Sequence, residues 1–444
     1  MADIARKLFA ERHADPDAVS VPMGFTIEVA AAGLNCPSCL ECNEDGHVFI
    51  GEMGSWDGSA YHGGRIVRVR DDGSSQVIAD GFSGSITGLA FYEGEFFAIE
   101  HAHSSRVYRV EEDGATYLLL DGLPGGGDHP TSDIVVAHSE RLYFCQGTRT
   151  NSGIVGPDNA DWLKDHPELC DVPGQDVSLT GQNFETPNFF GPGVAATGAF
   201  KPYDAATEPG QIINGSPYAS SSMMRIAPDG GEFGLFAWGL RNPVGLAVHP
   251  DGRLFCTDRG MTARGSRSVA DGRSYMWHVQ EGHWYGWPDY AGAEPVTDPK
   301  FKPKDDPQPQ LLLKDHPDLS DRPVAILPPG LGIAGCDFSR SLLIGSDDTA
   351  FVALMGEPGN GTDGCKVVTI DVATGVVEDF ATNPHPGPAS THASGGLERP
   401  INVKFDRTGE MIYVLDLGIL ATSEDGAIKT LENTGVLWRI TLED

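Results

Sequence analysis

Four short stretches of this 444-residue sequence carry side chains that could do chemistry together: Asp128-His129-Pro130, Arg241-Asn242-Pro243, Asp258-Arg259 and Glu100-His101-Ala102-His103. An imidazole titrates near neutrality, so His129 suits the role of a general base that takes a proton from a substrate hydroxyl. The Arg241 guanidinium can hold a carboxylate or an oxyanion through two parallel hydrogen bonds, with Asn242 completing the set. It can equally cap a strand beside an acidic neighbour. His101 and His103 project the same way from an extended chain, and Glu52, Glu100, Asp258 or His129 could add ligands for a divalent cation; solvated histidines are the other reading.

The elements that must position these groups are legible as repeats. The stretch 238–260, WGLRNPVGLAVHPDGRLFCTDRG, reads as a hairpin with strands over 244–248 and 254–257, which places its polar groups just outside the strand ends. Related hairpins begin at Cys36, Ser85, Pro130, Gly332 and Arg399, and most continue into a third and a fourth apolar run. Six units of four antiparallel strands predict an all-β, six-bladed β-propeller, because each small sheet buries its faces only against its neighbours. The last unit lacks a fourth strand, and the N-terminal GFTIEVAAAGL has the pattern to supply it and close the ring.

The predicted organisation is an N-terminal extension over 1–22 and one propeller over 23–444, with long insertions at about 149–221 and 286–329. The insertions carry the related strings DHPELCDVPGQ and DHPDLSDRPV, and read as binding loops or lids, or as surface decoration or an oligomer contact. First strands line a propeller's channel, so residues just before them converge: His129, Arg241 and Arg399, with Cys39, Asp133 and Asn402 one step before the apolar register, and Asp133 stands with His129 and Arg241 as a catalytic candidate. A second set follows the second strands: Glu52, Glu100, His101, His103, Gln146, Asp258, Arg259, Glu357 and Asp416.

Composition excludes whole classes of partner. Against 31 Lys+Arg stand 63 Asp+Glu, a formal charge of −32, which speaks against nucleic acid and anionic membranes and for a soluble, self-repelling surface; the expected partner is a small-molecule substrate. The N-terminus has no apolar run of signal-peptide length, so the expected compartment is the cytoplasm, or the periplasm or exterior if a leader was trimmed. Eight dispersed cysteines read as buried thiols, Cys145 and Cys256 among them, and Cys36, Cys39 and Cys42 lack the second pair that a zinc site needs. No nucleophile elbow, P-loop or dinucleotide glycine motif occurs in suitable context.

The strings VPMGFTIEVAAAGL, DHPTSDIVVAHSERLYFCQG, GLRNPVGLAVHPDGRLFCTDRG, GHWYGWPDY and RPINVKFDRTGEMIYVLD resemble the soluble glucose/sorbosone dehydrogenases. These are six-bladed propellers that use pyrroloquinoline quinone and calcium. The resemblance spans nearly the whole chain. It implies an oxidoreductase acting on a sugar, alcohol or aldehyde, with His129 as base, Arg241 and Asn242 at the quinone and Arg399 as a basic anchor. It places Asp258, Arg259 and Gly260 at the calcium-binding turn. Here Met261 replaces that turn's proline, TARGSRSVADG replaces its acidic stretch, and LMGEPG over 354–359 lacks the family's lysine. Two further expectations follow: a lactonase-like hydrolase or lyase with a divalent cation in the funnel, or a propeller that binds a partner without catalysis.

Overall fold

The computed structural model describes residues 12–56, 61–357, 363–422 and 428–443. Among them, six four-stranded antiparallel sheets form the predicted six-bladed propeller. In chain order from the first strand, blade 1 is Pro37–Cys42, Val48–Glu52, Arg65–Val69 and Ser75–Ala79; blade 2 is Ser85–Tyr92, Glu95–His101, Ser104–Val110 and Thr116–Pro124. Blade 3 is Thr131–Val136, Leu142–Gln146, Ser222–Ile226 and Gly234–Trp238; blade 4 is Asn242–Val248, Leu254–Arg259, Ser274–Val279 and Ala325–Leu327. Blade 5 is Ile333–Phe338, Thr349–Leu354, Lys366–Asp371 and Val377–Ala381. Blade 6 joins Pro400–Phe405, Met411–Asp416 and Gly435–Leu442 to the N-terminal Phe25–Leu34, which pairs antiparallel with Gly435–Leu442. The expectation for the extension falls partly on residues 1–11, which lie outside the described residues.

Period-two alternation builds the core between blades. In the second strand of blade 2, Phe96 and Ala98 face blade 1, whereas Phe97 and Ile99 face blade 3. The same division gives one buried cluster between each pair of neighbouring blades, including Leu40, Ile50 and Val67 of blade 1 against Leu415 and Leu437 of blade 6. Every first strand carries a register shift at the same place, just after its start: 37/39, 86/88, 132/134, 243/245, 333/336 and 400/402. A bulge there bends the strand and re-aims the residues that precede it.

The opening hairpin extends further than the sequence predicts. Asn242 pairs with Arg259 and Pro243 with Asp258, so the polar corner forms the last rungs of the ladder rather than its exterior. The aromatic group Trp277, Trp284, Tyr285 and Trp287 is buried throughout. Between Gln146 and Ser222, and between Val279 and Ala325, the chain leaves its blade. The two excursions pack together: Thr180 N donates to the Leu312 carbonyl at 2.8 Å, and Val177, Leu179 and Phe200 share one core with Trp284, Phe301 and Leu312.

Candidate functional site

A repeated device fixes the start of four blades. The acid that ends the second strand accepts the backbone N–H groups that lead into the first. Glu52 accepts from Asn35 N at 2.9 Å; Glu100 from Ser83 N and from Gly84 N at 2.9 Å; Asp258 from Asn242 N at 2.7 Å and Arg241 N at 3.2 Å; Asp416 from Glu398 N at 2.7 Å and Arg399 N at 2.8 Å. Three of them also pair with an arginine: Glu52 with Arg65, Glu100 with Arg106 at 3.0 Å and Asp416 with Arg12 at 2.6 Å. Gln146 plays a related part in blade 3, accepting from Thr131 Oγ1 at 2.7 Å. Glu52, Glu100 and Asp258 are therefore engaged in holding blades, and none of them belongs to the cluster of His, Cys, Asp and Glu ligand atoms found among the described residues. His101 does not join one either; its Nδ1 lies 3.2 Å from Ser105 Oγ, and desolvation drops its pKa to about 4.

The device places a basic, buried mouth beside His129. His129 N donates to Thr148 O at 3.1 Å, and Thr148 N donates to Arg241 O at 3.0 Å, which ties blade 3 to the corner of blade 4. A Cβ at position 147 would sit 2.5 Å from His129 Cβ, so glycine is required there for the imidazole to take its place. His129 Nε2 is buried with no hydrogen-bond partner among the described residues. Burial first, and then the charges of Arg241, Arg264 and Arg259, hold its pKa well below 6.5, so the ring is neutral and its base form persists into acid. Arg241 donates from Nη2 to Asn151 Oδ1 at 2.9 Å and from Nε to Asn151 O at 3.2 Å; burial lowers its pKa to about 10. Arg259 donates from Nε to Ile333 O at 2.7 Å, and Arg399 donates from Nη1 to Met355 O at 2.8 Å and Gly356 O at 3.1 Å. Asn242 Oδ1 and Arg399 Nε are, like His129 Nε2, buried without a partner.

Asp133 stands apart from this mouth. Its Oδ1 accepts from Ile134 N at 2.9 Å and its Oδ2 from Leu246 N at 2.7 Å, across to blade 4, at a backbone φ of 36° on the bulge. Both oxygens thus serve the junction of two blades. The sequence reading gave no role to Asp128, which pairs with Arg264, and Arg264 also bonds Asp158 at 2.9 Å. It missed Asn151 as well, although that residue lies in the first insertion and anchors Arg241.

The turn at Gly260 was tested against a calcium ion through its oxygens. Met261 O accepts from Gly272 N at 2.7 Å. The acid nearest Gly260 is Asp271, engaged by Arg273 Nε and Tyr275 Oη at 2.6 Å each. Arg264 and Arg267 occupy the stretch between, and Arg267 forms a fully buried pair with Asp289 at 2.9 Å. A cavity of about 10 Å³ beside Arg241, Asp258, Gly260 and Asp271 has room for about one water. These residues do not by themselves offer a hard cation six or more free oxygens.

A cluster of another kind lies at the rim. His103 Nε2 is 3.9 Å and His166 Nδ1 3.7 Å from Glu168 Oε1, and one donor atom from each residue lies within 4.8 Å of the others. His103 comes from the turn between the second and third strands of blade 2; His166 and Glu168 come from the first insertion. The missed signal was the His-Pro-Glu spacing inside DHPELCD. In the related DHPDLSD, His316 instead lies 3.0 Å from Asp289, in the core shared by the insertions.

Fold and site together define a six-bladed propeller with a His-His-Glu cluster that could hold a metal ion. It is similar in fold to the PQQ-bound aldose sugar dehydrogenase of Streptomyces coelicolor, with a TM-score of 0.54 and 16% identity over 96% of this chain and 100% of that one. It is also similar to the holo PQQ domain of the Coprinopsis cinerea pyranose dehydrogenase, with a TM-score of 0.57 and 14% identity over 95% and 97%. A gluconolactonase from Xanthomonas campestris aligns over 97% of both chains at 14% identity with a TM-score of 0.48, too low to argue from. No family model and no curated protein matches the chain. Among the described residues no helix is long and apolar enough to cross a membrane.

Proposed function

We propose that this chain is a hydrolase or lyase that acts on a small molecule at the mouth of the ring, with a divalent cation at its rim and His129 as general base. The observation that carries this reading is the meeting of His103 Nε2, His166 Nδ1 and Glu168 Oε1. His103 lies against Gly126, where a Cβ would be 3.2 Å from its Nδ1, and Gly126 is three residues from His129. A cation held there supplies Lewis acidity to a carbonyl or water oxygen. His129 accepts the proton at Nε2, which is neutral and unpartnered. Arg399 Nε and Asn242 Oδ1 offer one donor and one acceptor to orient the substrate. The arginines around the mouth favour an oxygen on which negative charge develops.

A dehydrogenase is the second reading, and it rests on the same unpartnered His129 Nε2, which would serve equally to take a proton from a sugar hydroxyl. The residues of the Gly260 turn weigh against it. The test is a panel of small lactones, esters and hydroxy acids offered to zinc-supplemented protein, with His129→Ala as control. Turnover that disappears in the variant is expected. Hydrolysis or elimination that proceeds equally in His129→Ala would remove this reading.

A further inference from the structure

We propose that His103, His166 and Glu168 form a site for a transition metal ion of the zinc class, and that the ion fastens the first insertion to blade 2. Two imidazole nitrogens and one carboxylate oxygen suit zinc, cobalt or nickel, whereas calcium takes six to eight oxygens. Ligand atoms each ~2.0–2.2 Å from one zinc ion stand roughly 3–4 Å apart, and the two histidine-to-glutamate distances are 3.9 and 3.7 Å. Neither imidazole makes another hydrogen bond among the described residues, so their nitrogens are open to an ion. Three protein ligands leave a fourth position, on the exposed side where His103 and Glu168 meet solvent.

The ligands are placed by contacts that need no metal. His166 N donates to Trp162 O at 3.0 Å at the end of the short helix Ala160–Leu163, and Leu169 N donates to His166 O at 3.0 Å. Leu163 and Leu169 bury themselves with Val155 in a small core of the insertion. On the blade side, Gly126 lies between His103 and the Trp162 ring at positive φ, where a Cβ would stand 3.2 Å from His103 Nδ1 and 3.5 Å from the Trp162 ring. The two imidazoles stack at 3.4 Å with an angle of 12° between their planes. Lone pairs lie in the ring planes, so the rings must splay for both to point at one ion. Binding therefore changes ring geometry.

The inference rests on the hydrolase reading only for what the ion does in turnover, and its test separates the two. Full-length protein freed of metal by a chelator is titrated calorimetrically with zinc and with calcium, and cobalt(II) is followed by visible absorption. One zinc per chain, a four-coordinate cobalt spectrum and no calcium binding are expected. His103→Ala and His166→Ala are expected to weaken zinc by more than the ~10–100-fold that loss of an outer-shell partner costs, and Glu168→Gln to weaken it too. Zinc is expected to slow proteolysis of the insertion in the parent and not in His166→Ala. Melting in chelator, unchanged across the three variants, shows that they fold. Absence of saturable zinc and cobalt binding, or binding unchanged in both histidine variants, overturns the site. Binding lost in His166→Ala with hydrolysis intact supports the site and overturns the cation's part in the hydrolase reading.

Discussion

At the scale of single residues, the mouth depends on a histidine kept neutral. The depressed pKa of His129 has a defined sign in stability. The unfolded chain binds a proton near pH 6.5 that the folded chain refuses, so its contribution is present above pH 6.5 and is lost as pH falls below it. Asp258 acts oppositely: burial raises its pKa to about 6, so its contribution is lost as pH rises through that value. His129→Gln removes the first effect and leaves the second. The parent should therefore lose melting temperature relative to the variant between pH 6.5 and 5. In turnover, the acid limb of kcat/KM should fall well below pH 6.5, and His129→Ala should cost ~10²–10⁴-fold in rate. An acid limb at an ordinary histidine value would place the proton elsewhere.

At the scale of elements, hydrogen-bond accounting explains what sequence spacing could not. Glu52 and Glu100 look like candidate ligands in a sequence because a carboxylate beside a histidine suits a cation. In the fold they hold the backbone leading into blades 1 and 2. Glu100→Ala would leave Ser83 N and Gly84 N without their acceptor while Arg106 keeps Asp121, a loss on the order of 1–3 kcal/mol measurable by chemical denaturation, with zinc affinity unchanged. Asn242-Pro243 and Asp258-Arg259 were read outside their strands because Pro and adjacent charges usually end one; the bulge at 243/245 lets the ladder continue past them. The insertions follow the same logic. Arg267 and Asp289 are buried as a pair, so Arg267→Met strands the Asp289 charge. Limited proteolysis should then cut within residues 147–221 or 280–324 before the blades; equal resistance to the parent would show that the pair does not hold the two insertions.

At the scale of the molecule, the repeat made the ring legible, and closure followed from one missing strand. Phe25–Leu34 completes blade 6, pairing Phe25 with Leu442 and Leu34 with Gly435. A chain lacking residues 1–34 would expose the Gly435–Leu442 edge, and light scattering should report self-association that the parent lacks. The site was less legible than the ring. His129, Arg241, Asn242 and Arg399 lie where first strands begin, a place that register alone picks out. His166 and Glu168 meet His103 only because an insertion folds back onto blade 2, and no periodicity encodes that contact. Arg264, in a stretch noted only for standing in place of an acidic one, pairs with Asp128 and Asp158. The measurement that bears most directly on the central claim compares two reconstitutions of metal-free protein, one with zinc and a lactone or ester panel, the other with pyrroloquinoline quinone, calcium and a reducible dye with sugars. His129-dependent hydrolysis in the first and no dye reduction in the second is the predicted result. His129-dependent dye reduction in the second, with nothing in the first, would contradict it.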